Sequence, residues 1–285
     1  MTGILHRPKY GTVLAMALLG VCGGGMVAIA QTQPEIRALD WTVVNDTVMG
    51  GRSSARIGWT AEKTLEWTGT LSLENNGGFV SIRARDAWFD WSKYDGVEVI
   101  LVGAGRDVQV SLQRADMVIR AGGYRALVPT SKTGDTRVFI PFSAFELKRF
   151  GRRIQGPALE LGLGRVGRLG LLIADKRAGA FRVELKAVRA MKTHGGRATS
   201  TEIAQAIVAA IERGVPQFNA GDAAGCASTY RSALLKLIDG GKLVPDTWAH
   251  RIALRAIEQV GTASDASAAW TLRYALDDIY RSVSK

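Results

Sequence analysis

The chain has 285 residues with seven tryptophans, two cysteines, three histidines and a formal net charge of +11. That length supports one sizeable core plus a smaller one, so two domains are expected. So few cysteines exclude a disulfide-built scaffold.

Residues 1–30 read as a signal peptide. His6, Arg7 and Lys9 precede an uncharged apolar run from Gly11 to Ala30 that ends in the small-x-small pattern Ala28-Ile29-Ala30, so cleavage after Ala30 and a periplasmic or secreted destination are expected. The run is also about as long as a bilayer span requires, which makes an uncleaved anchor the rival reading. Its five glycines favour cleavage, and Val21 before Cys22 argues against lipoprotein processing. Cleavage leaves Cys226 alone in an apolar helical pattern, where a small buried residue is expected.

The charge is unevenly placed. From Ser200 onward nine acidic residues balance nine basic ones, so the surplus lies upstream, with its densest run at Lys148-Arg149-Phe150-Gly151-Arg152-Arg153. That run could meet acidic lipid head groups, polyanionic cell-wall polymers or nucleic acid; a solvated loop is the plain reading, and export argues against nucleic acid.

Residues 31–191 carry short β-rich runs at nearly even spacing, from Ser53–Trp59 and Thr64–Glu74 through Phe79–Arg85 and Gly96–Val102 to Arg168–Ala174 and Ala180–Arg189. Strands recurring every ten or so residues without helical periodicity predict an all-β sandwich or barrel. Two polar, glycine-rich stretches stand out, Asn45 to Gly51 (NDTVMGG) and Asn75 to Phe79 (NNGGF). Adjacent glycines point to positive φ or to very close backbone approach. Alternating strands around the second stretch predict a β-hairpin through Asn75–Gly78. Asn45, Asp46, Asn75 and Asn76 are expected either to satisfy their own loop backbone or to form a ligand or ion site. Gly162-Leu163-Gly164-Arg165-Val166-Gly167 matches the dinucleotide pattern, but its exit, Leu169 to Ala174, reads as a strand and not the helix that would meet a pyrophosphate.

Trp41 followed by VVNDTVMGGRSS, Gly69 to Leu73, NNGGF with Ser81 and Arg83, the Tyr94-Asp95-Gly96 turn, Ile140-Pro141-Phe142 with Phe145, and Gly170 to Ile173 leading to Asp175-Lys176, Gly179 and Phe181 stand in one order over about 150 residues. In these the chain resembles the complex I intermediate-associated protein 30 domain family. The resemblance implies a galactose-binding-like jelly roll, related in shape to some carbohydrate-binding modules, and a non-catalytic assembly role in mitochondrial members. An exported chain would lie outside the compartment where complex I is assembled, so the fold transfers more safely than that role.

On such a scaffold Trp59, Trp67, Trp88, Trp91 and Tyr124 are aromatics of the kind that stack on sugars, although most such tryptophans are expected in the core. Arg83, Arg114, Arg120 and Arg125 are candidates to pair with carboxylates or phosphates. Strand parity places Arg83 and Arg85 on one polar face with Ser81, opposite Val80 and Ile82. The candidate ligand residues are therefore Asn45, Asp46, Asn76, Arg83, Arg85, Trp88, Arg114 and Tyr124, with Asp46 a weak calcium candidate. No catalytic residue and no cofactor is expected: beyond the leader only His194 and His250 occur, and there is no G-x-S-x-G elbow.

Residues 192–199 read as a linker and 200–285 as a helical domain of four short antiparallel helices. The first, capped by Ser200 or Thr201, is expected to stop at Gly214 and Pro216; the second runs from Asp222 to Ile238, the third follows Pro245 to about Val260, and Ser264 caps the fourth. The chain is thus read as mainly β, a jelly-roll β-sandwich followed by a small α-helical bundle. The function expected is non-catalytic binding or scaffolding of a protein partner or cell-envelope glycan. The alternatives are a membrane-held assembly chaperone for respiratory complex I and a glycan-active enzyme.

Overall fold

The computed structural model describes residues 35–85, 88–118, 122–192 and 197–284. The leader at 1–30, Cys22, Arg120 and residues 193–196 of the expected linker lie outside the described residues.

Two antiparallel sheets pack face to face. The strands are β1 (Asp40–Asn45), β2 (Ser54–Trp59), β3 (Leu65–Leu71), β4 (Val80–Arg85), β5 (Gly96–Val102), β6 (Asp107–Arg114), β7 (Gly123–Pro129), β8 (Thr136–Pro141), β9 (Glu146–Arg149), β10 (Arg152–Arg153), β11 (Val166–Ile173) and β12 (Gly179–Met191). One sheet has seven strands in the order β1-β4-β11-β6-β7-β9-β10, and the other has five in the order β2-β3-β12-β5-β8. The fold is the expected jelly-roll β-sandwich followed by a helical bundle. Period-two alternation builds it: Val108, Val110 and Leu112 of β6 are fully buried, while Gln109, Ser111 and Gln113 between them are half-exposed. Trp67, Phe89, Trp91, Leu101 and Ile140 fill the space between the sheets, and Phe89 stacks on Trp91 with ring centroids 5.1 Å apart.

The predicted hairpin through Asn75–Gly78 is corrected. β3 pairs with β2 and β12, whereas β4 pairs with β1 and β11 in the other sheet. The Asn-Gly stretch is therefore a crossover between sheets. Asn75 and Asn76 do have positive φ, 53° and 57°, as a tight hairpin turn would demand. Alternating strands and a turn signal fix a reversal of direction, but not which sheet the second strand joins. The chain's true hairpin in this region joins β2 to β3, closed by the Thr60 amide donating to the Thr64 carbonyl at 3.0 Å. Three short strands, β1, β9 and β10, were not among the predicted runs.

The tail forms α1 (Arg197–Asn219), α2 (Ala223–Asp239), α3 (Trp248–Gln259) and α4 (Asp265–Val283). α1 starts within the expected linker and continues through Pro216 to Asn219 instead of stopping at Gly214. Gly214 is there for packing, since a Cβ on it would lie 2.3 Å from the Tyr230 ring on α2. Asp222 caps α2 by accepting from the Gly225 amide, and Cys226 is buried on that helix as expected. Among the described residues no helix is long and apolar enough to cross a membrane.

The helices dock on the sandwich through α3 and α4. The Trp248 indole N–H donates to the Leu127 carbonyl of β7 at 2.6 Å, and Arg255 forms a bidentate pair with Asp107 at the start of β6. The Phe139 amide on edge strand β8 donates to the Asp246 carbonyl at 2.8 Å, so the segment before α3 covers part of an otherwise open sheet edge.

Candidate functional site

Three places in the fold concern the predicted site residues: the two glycine-rich loops, the outer face of the seven-stranded sheet, and a groove under α4.

The loops meet at one carboxylate. Asp46 is buried, and its Oδ1 accepts from the Ser53 amide at 2.8 Å. Its Oδ2 accepts from the Ser53 hydroxyl and the Gly78 amide, each at 2.6 Å, and from the Phe79 amide at 3.3 Å. Burial raises the Asp46 pKa, but the Ser53 hydroxyl and the Gly78, Ser53 and Phe79 amides outweigh it and hold the carboxyl below its ordinary value. Both glycine pairs follow from this arrangement. Gly50 and Gly78 have positive φ, 87° and 119°, whereas Gly51 and Gly77 make room, since a Cβ on either would fall 2.4 Å and 2.6 Å from Asp46 carboxylate atoms.

Asp46 is therefore a structural acceptor, which corrects its reading as a ligand residue. The weak calcium candidacy goes with it: N–H and O–H donors surround the carboxylate where a cation would need oxygens. Among the described residues no group of three or more His, Cys, Asp or Glu could hold a metal. Asn45 stands opposite Val80 on the core side of β1, with its buried Oδ1 unpartnered. Asn76 is exposed at the crossover tip.

The outer face of the seven-stranded sheet is where arginines gather. On β4, Val80, Ile82 and Ala84 are fully buried, so Ser81, Arg83 and Arg85 point outward as parity requires. The register runs Thr42–Arg83–Gly170–Ser111–Arg125–Glu146 across six strands. Arg168 lies one outward position along β11 from Gly170. Gly170 and Ser111 form a low floor between Arg83 and Arg125, whose strands are about 14 Å apart at ordinary strand spacing. A Cβ at Gly170 would fall 2.7 Å from the Ile82 carbonyl and 3.4 Å from Arg83 Cγ, so the Arg83 stem leans over that floor.

Arg83, Arg125 and Arg168 are all half-buried, and none forms a hydrogen bond or ion pair with its side chain among the described residues. Burial and then the Arg168 charge lower the Arg83 pKa, while burial and then the Arg83 charge lower that of Arg125. Three like charges thus converge without a counter-ion among the described residues. The carboxylate at the end of the row, Glu146, is engaged elsewhere, with Lys148 at 3.0 Å, Arg281 at 3.0 Å and Arg153 at 3.5 Å.

The other predicted residues divide. Arg85 is on this face, exposed, with its Nε donating to Thr42 Oγ1 at 3.4 Å. Trp88 is half-buried beyond the end of β4, with the Arg165 guanidinium 5.1 Å from its ring centroid. Arg114 and Tyr124 are corrected, because both point inward. Arg114 is held by Asp116 and donates to the Ala158 carbonyl at 2.8 Å, and the buried Tyr124 hydroxyl donates to the Pro157 carbonyl at 2.6 Å. Trp67 and Trp91 are core. Sequence reasoning missed Arg168, although the apolar alternation of Leu169, Leu171 and Ile173 marks it as outward. The dinucleotide-like glycines lead into β11, a strand, as expected.

An open groove of about 870 Å³ lies between the segment after β10 and the end of α4, lined by Glu146, Arg153, Pro157, Tyr280 and Arg281. Asp278 pairs with Arg281 at its edge. Burial raises the Asp278 pKa to about 6, with the Arg281 charge opposing and Glu146 reinforcing that rise. A carboxyl with a raised folded pKa binds more protons folded than unfolded, so its ionisation removes stability as pH rises from about 4 to 6 and nothing more above that. Asp278→Asn should therefore improve relative to the native chain between pH 4 and 6 and then level off, as read from urea midpoints; a gain that is flat across this range would contradict the assignment.

Comparison with known proteins adds solved structures and a family. The family 11 carbohydrate-binding module from Clostridium thermocellum in complex with a β-1,3-1,4-mixed-linked tetrasaccharide is 17% identical, covers 58% of this chain and 99% of its own, and has a TM-score of 0.38. The module of the Clostridium thermocellum cellulosomal cellulase Lic26A-Cel5E is 17% identical with coverages of 60% and 100% and a TM-score of 0.39. An agarase is 10% identical, covers 65% of this chain and 30% of its own, and has a TM-score of 0.40. The family model for complex I intermediate-associated protein 30 matches residues 29–185, more than half the chain and nearly all of the sandwich. The chain therefore belongs to the complex I intermediate-associated protein 30 family.

Proposed function

We propose that this protein is an exported, non-catalytic binding or scaffold protein that meets a protein partner or cell-envelope glycan on the outer face of its seven-stranded sheet. The observation that carries the reading is the convergence of Arg83, Arg125 and Arg168 around the Gly170–Ser111 floor with no counter-ion among the described residues. Mutual repulsion of half-buried charges opposes folding, so an arrangement of this kind is better suited to meeting a ligand than to holding a sheet together. Membership of the complex I intermediate-associated protein 30 family supports a binding role over a catalytic one. The basic, apolar leader sequence with its Ala28-Ile29-Ala30 site supports export.

Retention of the purified protein on an isolated cell-envelope fraction tests this reading. Native protein should be retained, and the charge reversal Arg83→Glu with Arg125→Glu should abolish most of that retention while circular dichroism stays native. Equal retention of both proteins would remove the sheet face from consideration.

A second reading is an assembly chaperone for respiratory complex I held at the membrane by its leader; the family's description as complex I intermediate-associated supports its complex I part. N-terminal sequencing of the mature protein separates the two: an intact Met1 together with co-purification of complex I intermediates would favour the chaperone.

A further inference from the structure

We propose that the arginine floor is a site for the carboxylate or sulfate groups of an acidic polysaccharide, with Arg83, Arg125 and Arg168 as the anion-binding residues. This rests on the reading of the outer sheet face as a binding surface and adds the chemistry of what it takes.

The anion follows from the charges. Guanidinium groups present planar forks of donors that match carboxylate and sulfate oxygens. Three of them surround a floor of Gly170 and Ser111, whose small side chains rise little between the donors. Glu146, the carboxylate in the same cross-strand row, is held by Lys148, Arg153 and Arg281. An incoming anion would relieve the repulsion between the arginines.

The sugar chain follows from what stands beside them. Among the other outward positions are Thr42, Ser81, Gln109, Ser111 and Gln113, neutral polar groups that suit a hydroxyl-rich ligand. A protein partner would be expected to seat an aromatic or large apolar anchor at the centre of its interface. On this face, among the described residues, the outward positions of β1, β4, β6, β7 and β11 carry no aromatic side chain; of their larger apolar residues Leu172 is buried, Leu127 packs against the core and Val44 is half-buried on the edge strand, so none stands exposed beside the arginines. A neutral glycan would ordinarily be gripped by stacking on aromatic rings; here Trp67, Trp91 and Tyr124 are in the core, exposed Trp59 belongs to the five-stranded sheet, and half-buried Trp88, beyond the end of β4, has Arg165 over its ring. Charge, and not stacking, is the grip this face offers.

The test is affinity electrophoresis of the full chain through gels containing polygalacturonate, chondroitin sulfate, a neutral mixed-linkage glucan or poly-glutamate, at low and high salt. An acidic polysaccharide should retard the native protein, and high salt should weaken the effect. Arg83→Gln with Arg125→Gln should lower apparent affinity at least tenfold, and Arg168→Gln should lower it less. Arg83→Lys with Arg125→Lys, which keeps the charge but not the fork, should recover part of the loss. A variant neutralised at Arg149 and Arg152, the exposed members of the basic run that do not pair with Glu146, should bind as the native protein does. Retardation lost in that last variant but kept in the Gln pair would overturn the proposal by moving the site to the exposed basic run. Face-dependent retardation by poly-glutamate alone would overturn it in favour of an acidic protein. If no acidic polymer binds while envelope retention still depends on Arg83 and Arg125, the acidic-glycan inference fails and the binding face stands. If neither depends on them, both fall.

Discussion

Asp46→Ala should cost about 3–5 kcal/mol of folding stability, because it removes a buried acceptor and leaves its donors without one. The Ser53 amide and hydroxyl and the Gly78 and Phe79 amides all converge on this carboxylate, and among the described residues no other acceptor serves the Gly78 or Phe79 amide. Asp46→Asn keeps the size but offers one oxygen and a misplaced NH₂, so it should also destabilise, by a smaller amount. The pH dependence has a definite sign. A carboxyl held below its ordinary pKa contributes stability that is fully present above about pH 4 and is lost as pH falls through the folded value. The gap between native and Asp46→Asn proteins should thus be widest near neutrality and narrow in acid. Urea unfolding at pH 7 and below pH 4 would show it, and a loss under 1 kcal/mol for Asp46→Ala at neutral pH would refute the account.

The second large effect is expected at the seam between sandwich and helices. Trp248 is buried at the start of α3, and its indole reaches the Leu127 carbonyl on β7. Trp248→Ala should cost about 3–5 kcal/mol, the usual range for a buried tryptophan. The loss should fall mainly on the helices: limited proteolysis should cut within 197–284 well before it cuts the strands. Trp248→Phe, which keeps most of the ring and loses the N–H, should cost nearer 1 kcal/mol. Uniform destabilisation with no change in the order of cleavage would mean that the bundle does not depend on this contact.

Much of the fold was readable from the chain because strand burial is written in alternation. Gly96–Val102 and Thr136–Pro141 emerge with the bounds expected of them, and the outward parity of Ser81, Arg83 and Arg85 is as derived. What failed were inferences that depend on distant partners. The Asn75–Gly78 stretch reverses the chain, but whether β4 returns beside β3 is decided by β1 and β11, thirty and more residues away in each direction. Tyr124 and Arg114 are chemically apt for a ligand, yet their inward positions give them to the Pro157 and Ala158 carbonyls, which no local pattern announces. The four glycines of the two loops were legible as constrained, while the reason for half of them, a carboxylate lying against the Cα atoms of Gly51 and Gly77, is a tertiary fact.

That carboxylate also bears on how the two halves of the sandwich come to act as one. The connection from β1 to β2 leaves the larger sheet for the smaller, and the connection from β3 to β4 makes the return journey. Asp46 belongs to the first passage and binds the amides of the second. Neither sheet alone can assemble this knot, so its closure registers that both are in place. Chain breaks therefore differ in consequence: a new pair of ends at the exposed 61–63 turn spares the knot, whereas one at 47–51 separates Asp46 from Ser53 and unties it.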